Sequence, residues 1–369
     1  MNDYEQIAYQ EALEEIREAK QQALSELRFR SISIQNLPPE IGQLSDLQTL
    51  ILNGVPALTT LPAEIGNLQS LQELHLCINE SLTSLPPEIK QLTSLKYLNL
   101  SGGTYYDRQI YTPLQNLPKE IGALSNLQIL DLSETALRNL PVEIAQLQNL
   151  RILDLNDTLL TVLPKEIGQL SNLQSLILSG NSDLTSLPAE IGQLKNLHTL
   201  HLSSFATLPS EIGQLRNLQT FHFTNFSTIP PEIGQLINLQ TLHLSRYVNS
   251  NTTLPAEIGQ LKNLQTLHLN NFATLPTEIG QLKSLRTLRL SNVSTLPAEI
   301  GQLSNLAVLD LSGNRNLIAL PSEIGQLNNL RSLKLSGCRL STLPAEIGKL
   351  SNLEVLDLNN IGVTQLAAR

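Results

Sequence analysis

Tryptophan is absent, methionine occurs once, cysteine twice and histidine six times in 369 residues. Two cysteines cannot build a disulfide framework, and their scarcity predicts a reducing compartment. No apolar run approaches the roughly 18 residues that a membrane-spanning helix needs. The opening residues, MNDYEQ, lack the basic and apolar regions of a secretory signal, so the predicted location is cytoplasmic. Basic residues are outnumbered, 24 Lys and Arg against 33 Asp and Glu, so whole-chain charge gives no support for nucleic-acid binding. No glycine-rich phosphate loop is present. What is abundant is leucine, 80 of the 369 residues, within a hydrophobic share of 41% that excludes intrinsic disorder. A residue used one time in five points to a repeated unit.

The block Leu/Ile-Pro-x-Glu-Ile occurs 14 times, its proline at positions 38, 62, 86, 118, 141, 164, 188, 209, 230, 255, 276, 297, 321 and 344. Residues 254–274, LPAEIGQLKNLQTLHLNNFAT, are a typical unit. Leu264, Leu267 and Leu269 form its L-x-x-L-x-L pattern, whose final alternation is a period-2 strand signal. One short strand cannot bury its leucines alone; stacked units bury them in a continuous core. Proline ahead of Glu-Ile suits the first turn of a short helix. The glutamate lies near the positive end of that helix. Gly66 and its counterparts are expected to allow a tight exit. Residues 24–37 read as a degenerate first unit with Leu27 and Phe29 inward, which brings the strands to 15. Residues 3–23 read as a helix, with Ala12, Ile16, Ala19 and Ala23 on one face, capping the amino-terminal end.

The consensus LPxEIGxLxxLxxLxL resembles the leucine-rich repeat, in the variant with an LPxxI turn found in bacterial repeat proteins and Ras-group scaffolds, from Leu24 to Leu366. The resemblance implies an α/β solenoid: a curved horseshoe of about 15 repeats, with a parallel sheet on its concave face and short helices or turns on the convex side. The domains would be a capping helix, 1–23, and a repeat solenoid, 24–369. Residues 7–37 further resemble the segment leading into the repeats of bacterial Roco proteins, whose GTPase domain follows the repeats.

Departures from the consensus carry the individual information. Asn79, Asn181 and Asn314 keep the asparagine that satisfies backbone groups after the strand, while Thr135, Thr158 and Cys338 substitute for it. In the 21-residue units the bend is shorter, and Phe205, Phe226, Phe272 and Val293 fill the core position that Leu184 occupies elsewhere. Residues 101–116 form an insertion holding three of the seven tyrosines, and such insertions fall on loops beside one face of a solenoid.

Fourteen of the 33 acidic residues are the repeat glutamates, which lie on an edge away from the sheet. The net charge of −9 therefore describes the turn side. The outward position between the two strand leucines reads, in order, Arg28, Ile51, His75, Asn99, Asp131, Asp154, Ile177, His201, His222, His243, His268, Arg289, Asp310, Lys334 and Asp357. Neighbouring strands lie about 4.8 Å apart, so the four consecutive histidines form a row. No cysteine or carboxylate shares the column within that block, which disfavours a metal and favours an uncharged hydrogen-bonding surface. Ser203 and Ser245 flank the histidines without the orienting acid of a catalytic triad. Asp131 and Asp154 are paired, yet no raised-pKa environment is legible around them.

These residues predict a non-enzymatic protein–protein interaction module without cofactor or metal. Its main contact is expected at Tyr97, Tyr105, Tyr106, Arg108 and Tyr111, beside Asp131 and Asp154 on the sheet. Glu73, Glu134 and Asp157 add negative charge nearby. Tyrosine and arginine are enriched at binding hot spots. Rings beside carboxylates suit a basic protein surface or a small-GTPase-like partner. His201, His222, His243 and His268 form the second candidate surface. Alternative settings are the recognition region of a larger Roco-like signalling protein, or a bacterial effector delivered to a host cell.

Overall fold

The computed structural model describes residues 3–29, 33–105, 108–246, 253–361 and 365–366. The chain divides into two compact units, Met1–Leu197 and His198–Arg369.

The first unit opens with helix α1 (Asp3–Gln21), followed by β1 (Glu26–Arg28), β2 (Thr49–Ile51), β3 (Glu73–His75) and β4 (Tyr97–Asn99). A hairpin comes next, β5 (Gly103–Tyr105) and β6 (Arg108–Ile110), then β7 (Ile129–Asp131), β8 (Ile152–Asp154) and β9 (Ser175–Leu178). Strands β1, β2, β3, β4, β7, β8 and β9 pair in parallel in that order, while β5 and β6 pair antiparallel. The second unit contains β10 (Thr199–Ser203), β11 (Thr220–Thr224), β12 (Thr241–Ser245), β13 (Thr266–Asn270), β14 (Thr287–Ser291), β15 (Val308–Asp310), β16 (Ser332–Lys334), β17 (Thr342–Leu343), β18 (Val355–Asp357) and β19 (Gln365–Leu366). Its main ladder is parallel and runs from β10 through β16 to β18, with β17 paired to β19. Seven ladder strands in one unit and eight in the other make the 15 expected.

The period-2 pattern fixes the register. Leu74, Leu98, Leu130 and Leu153 stand opposite one another and are fully buried. Leu200, Phe221, Leu242 and Leu267 do the same in the second unit. Phe205, Phe226, Phe272 and Val293 are buried as expected, so the shorter bends still close over a filled core. Each Pro-x-Glu-Ile block forms a single five-residue 3-10 turn, such as Ala63–Asn67 and Ala256–Gln260. Proline precedes that turn at its cap. Pro255 is extended (φ −67°, ψ 148°), and its carbonyl accepts the Ile258 N–H at 3.1 Å.

The glycine after the repeat isoleucine has a different role from the one expected. A Cβ on Gly280 would stand 2.6 Å from the Glu299 carbonyl oxygen, so the missing side chain is what lets successive turns stack closely. Left-handed backbone occurs instead just after the strands, at Gly54, Gly180, Gly313 and Gly337 and at Asn225, Asn271 and Asn292. Ile78 holds the same position at φ 60°, where a β-branched side chain is strained.

Buried asparagines then tie unit to unit. The Asn79 amide donates to the Leu52 and Leu76 carbonyls at 3.0 and 2.8 Å and accepts the Val55 N–H at 2.7 Å. Thr135 reproduces only the local bond, to Leu132 O at 2.8 Å, and the Cys338 thiol donates to Leu311 O at 3.0 Å. A second ladder went unread in the sequence. The asparagine of the GQLxNL segment donates to a carbonyl of the preceding repeat, as Asn196 to Ser171 and Asn263 to Ile237, both at 2.8 Å.

Helix α1 buries Ala12, Ile16 and Ala19, but it ends at Gln21 and Ala23 is exposed. Ala23 takes φ 49° in a Schellman turn: its N–H bonds Lys20 O at 3.2 Å and the Leu24 N–H bonds Ala19 O at 3.0 Å. No helix among the described residues is long and apolar enough to cross a membrane.

Candidate functional site

In the first unit the pairing sets Glu73 opposite Tyr97, and His75, Asn99, Asp131 and Asp154 in one row across β3, β4, β7 and β8. The Tyr97 ring lies 4.8 Å from the His75 ring, and its hydroxyl accepts the Asn99 amide at 3.1 Å. His75 Nε2 meets Glu73 Oε2 at 3.2 Å. The row has a structural duty as well. Asp131 and Asp154 accept the N–H two residues on, from Ser133 at 3.0 Å and Asn156 at 2.9 Å, and Asn99 does likewise for Ser101 at 2.9 Å. These side chains close the strand end, and each aspartate keeps a second oxygen for other partners.

Electrostatics sets Asp154 apart from ordinary surface. Burial pushes the Asp154 carboxyl up to about 6; Asp131, Glu134 and Asp157 add repulsion, and the Asn156 N–H opposes the rise. Glu134 is raised too, by burial first and then by Asp157. A raised-pKa environment therefore exists where the sequence showed none. It arises first from burial, a matter of packing that linear spacing hides, and then from the carboxylates beside the row.

The insertion folds as the β5–β6 hairpin. Ile110 and Leu114 are buried and anchor it, while Thr112 bonds the Ser101 carbonyl at 3.1 Å and the Glu134 carbonyl at 3.0 Å. The Gln109 amide donates to the Glu134 carboxylate, tying the hairpin to the acidic edge. Tyr111 is 54% exposed, so it is free for contact and does not hold the loop down. Arg108 reaches 3.9 Å from Glu80, on the bend after β3. Tyr105 contributes backbone to β5, and Tyr106 lies outside the described residues.

In the second unit His201, His222, His243 and His268 stand in strict register. His201 and His222 stack in parallel with ring centres 4.2 Å apart. The next two pairs meet edge-on at 5.4 and 5.6 Å. Burial lowers all four, with repulsion between the rings contributing at His201, His222 and His268, and His222 falls to about 4. The row is uncharged at neutral pH.

Cavities of 510 and 480 Å³ lie along α1 and the first turns, lined by residues such as Glu15, Glu26 and Tyr9, and neither includes β7, β8 or the histidine strands. Among the described residues, no group of three or more His, Cys, Asp or Glu could hold a metal ion.

Comparison with known proteins places this geometry. Residues 12–110, 88–156, 146–226 and 220–311 match the family described as leucine-rich repeat region, and residues 305–327 and 328–368 match further leucine-rich repeat families. A leucine-rich repeat protein of Leptospira interrogans is 40% identical, covering 94% of this chain and 93% of its own, with a TM-score of 0.75. The plant peptide hormone receptor RGFR1, solved in complex with RGF2, is 27% identical over 92% of this chain and 71% of its own, with a TM-score of 0.50. The internalin InlF of Listeria monocytogenes shares the fold at 18% identity and a TM-score of 0.66, covering 95% of both chains. Among the curated proteins, none matches.

Proposed function

Because the chain belongs to the leucine-rich repeat family, whose members generally bind protein partners without catalysing reactions, we propose that it is a protein-binding module whose main recognition surface is the outward face of β3, β4, β7 and β8 with the adjoining hairpin. The observation that carries this reading is the packing of Tyr97, Asp131, Asp154 and Glu134 beside one another with Asp154 held near 6. Crowding carboxylates against burial is unfavourable in the free protein, and an arriving guanidinium or ammonium relieves it. The partner chemistry is therefore a basic protein surface. Tyr111 on the hairpin adds an exposed ring with a polar tip, suited to anchoring such a partner. RGFR1 offers a precedent for polypeptide recognition on a related repeat scaffold.

The wider settings, a Roco-like signalling protein or an effector acting on a host protein, would use the same surface. The helix α1, with Ala12, Ile16 and Ala19 buried, serves in this reading as the amino-terminal cap. The test is titration of the full chain with an Arg/Lys-rich peptide, alongside thermal melting. Tyr97→Ala and Asp154→Asn should each weaken binding by more than about 1 kcal/mol without lowering the melting temperature. A Tyr97→Ala protein that melts earlier but binds unchanged would make the ring structural and move the site elsewhere.

A further inference from the structure

The second unit offers a face of different chemistry, and nothing in the reading above uses it. Across β10–β14 three rows run in register: outward threonines from Thr199 to Thr287, the four histidines ending in Arg289, and small polar residues from the buried Ser203 to the exposed Ser291. No aspartate or glutamate stands on these five strands; the acidic residues of their repeats, such as Glu232 and Glu257, belong to the 3-10 turns. Every outward group here is a hydrogen-bond donor, and every ionisable one becomes cationic or already is.

We propose that the outward face of β10–β14 is a second docking surface, which takes an acidic extended polypeptide segment and holds it more tightly as the medium turns acidic. Charge complementarity argues for this occupant. Arg289 continues the histidine row as a permanent cation, pairing with Asp310 at 3.8 Å while remaining half exposed. Rings 4.2–5.6 Å apart repel one another once protonated, so the unoccupied row stays neutral. A carboxylate lying on the row reverses that balance: an opposite charge within hydrogen-bond reach favours imidazolium. Binding then takes up protons, and by linkage affinity rises as pH falls.

Most of the charged and titratable groups around the row favour this. His198 and Arg286 immediately precede β10 and β14, and Arg246 follows β12 with its guanidinium 4.8 Å over the Phe272 ring. Among the described residues Asp310 is the one carboxylate on a strand bordering the row, where it competes for Arg289, and Lys334 stands beyond it. The proposal rests on the second unit alone and survives if the acidic face of the first proves structural.

The full chain is tested by fluorescence anisotropy with a labelled Glu-Ser repeat decapeptide, using a Gln-Ser repeat as control. Expected is at least about tenfold tighter binding at about pH 5.5 than at about pH 7.5. Glutamine keeps a donor and an acceptor without charge, so His222→Gln with His243→Gln should abolish the pH dependence. His201→Gln with His268→Gln serves in the same way if the first pair fails to show a native melt. Equal tightening in these variants, absence of tightening, or equal binding of the Gln-Ser control would overturn the proposal. Equally tight capture of a sulfated oligosaccharide would overturn its assignment to a polypeptide.

Discussion

In β7 and β8 the residue between the two inward apolar side chains is aspartate; in β10 to β13 it is histidine. Around it the scaffold is nearly the same: buried leucines or phenylalanines in register, a proline-capped 3-10 turn, and a glycine that admits the next turn, replaced by Ala145 between β7 and β8. The difference teaches that inward residues decide whether the stack forms and outward residues decide what it meets. Each face also stores an electrostatic cost of opposite kind. Burial and like charge disfavour ionised Asp154 in the first unit and protonated His222 in the second.

Breaking the shared scaffold should give the largest effects and should ignore the difference between faces. Leu130→Ala and Leu267→Ala each remove a fully buried side chain and should cost about 2–5 kcal/mol by denaturant melts of the full chain. Asn79→Ala and Asn314→Ala come next. Each strands carbonyls of two strands and one N–H, for about 1–3 kcal/mol, whereas Thr135→Ala loses a single local bond and should cost less.

The faces themselves should separate with pH. Asp154 has a folded pKa of about 6, above the ordinary value, so its penalty is full above that pH and fades as pH falls toward about 4. The histidines have folded values below the ordinary 6.5, so their contribution is intact above about 6.5 and is lost as pH falls toward 4. Between about pH 7 and 5, hydrogen exchange corrected for intrinsic rates should show β7–β8 gaining protection and β11–β12 losing it. Asp154→Asn should stabilise the protein by on the order of 1 kcal/mol near neutral pH, allowing for solvent screening, and by nothing near pH 4. The smallest expected change is Ile78→Gly, which relieves a left-handed isoleucine and should raise stability by up to about 1 kcal/mol.

The ladder was legible because two sequence periods coincide: leucine alternation sets which side chains turn inward, and the Pro-x-Glu-Ile block sets where each strand restarts. In-register parallel stacking then makes the sequence order of Asp131 and Asp154, and of His201, His222 and His243, their order in space within each unit. What stayed hidden depends on contacts between repeats. Gly280 is needed for a neighbour 19 residues ahead, not for its own dihedral angle. Asp154 is perturbed chiefly by its burial, which no local pattern announces. The strand-end bonds of Asp131 and Asp154 to Ser133 and Asn156 follow from an Asp-x-Ser/Asn spacing that could have been read. Ala23 looked helical because alanine favours helix, but the turn at Gln21 needs a left-handed residue and Ala23 supplies it.

One crossed binding experiment tests most directly whether two faces of opposite chemistry share one scaffold. The intact chain, Asp131→Asn with Asp154→Asn, and His222→Gln with His243→Gln are each titrated with the Arg/Lys-rich peptide at about pH 7.5 and the Glu-Ser peptide at about pH 5.5. The account predicts that the aspartate pair loses the basic peptide alone and the histidine pair loses the acidic peptide alone, each by more than about 1 kcal/mol. If either pair weakens both peptides equally, or neither, the two faces are not separate recognition surfaces.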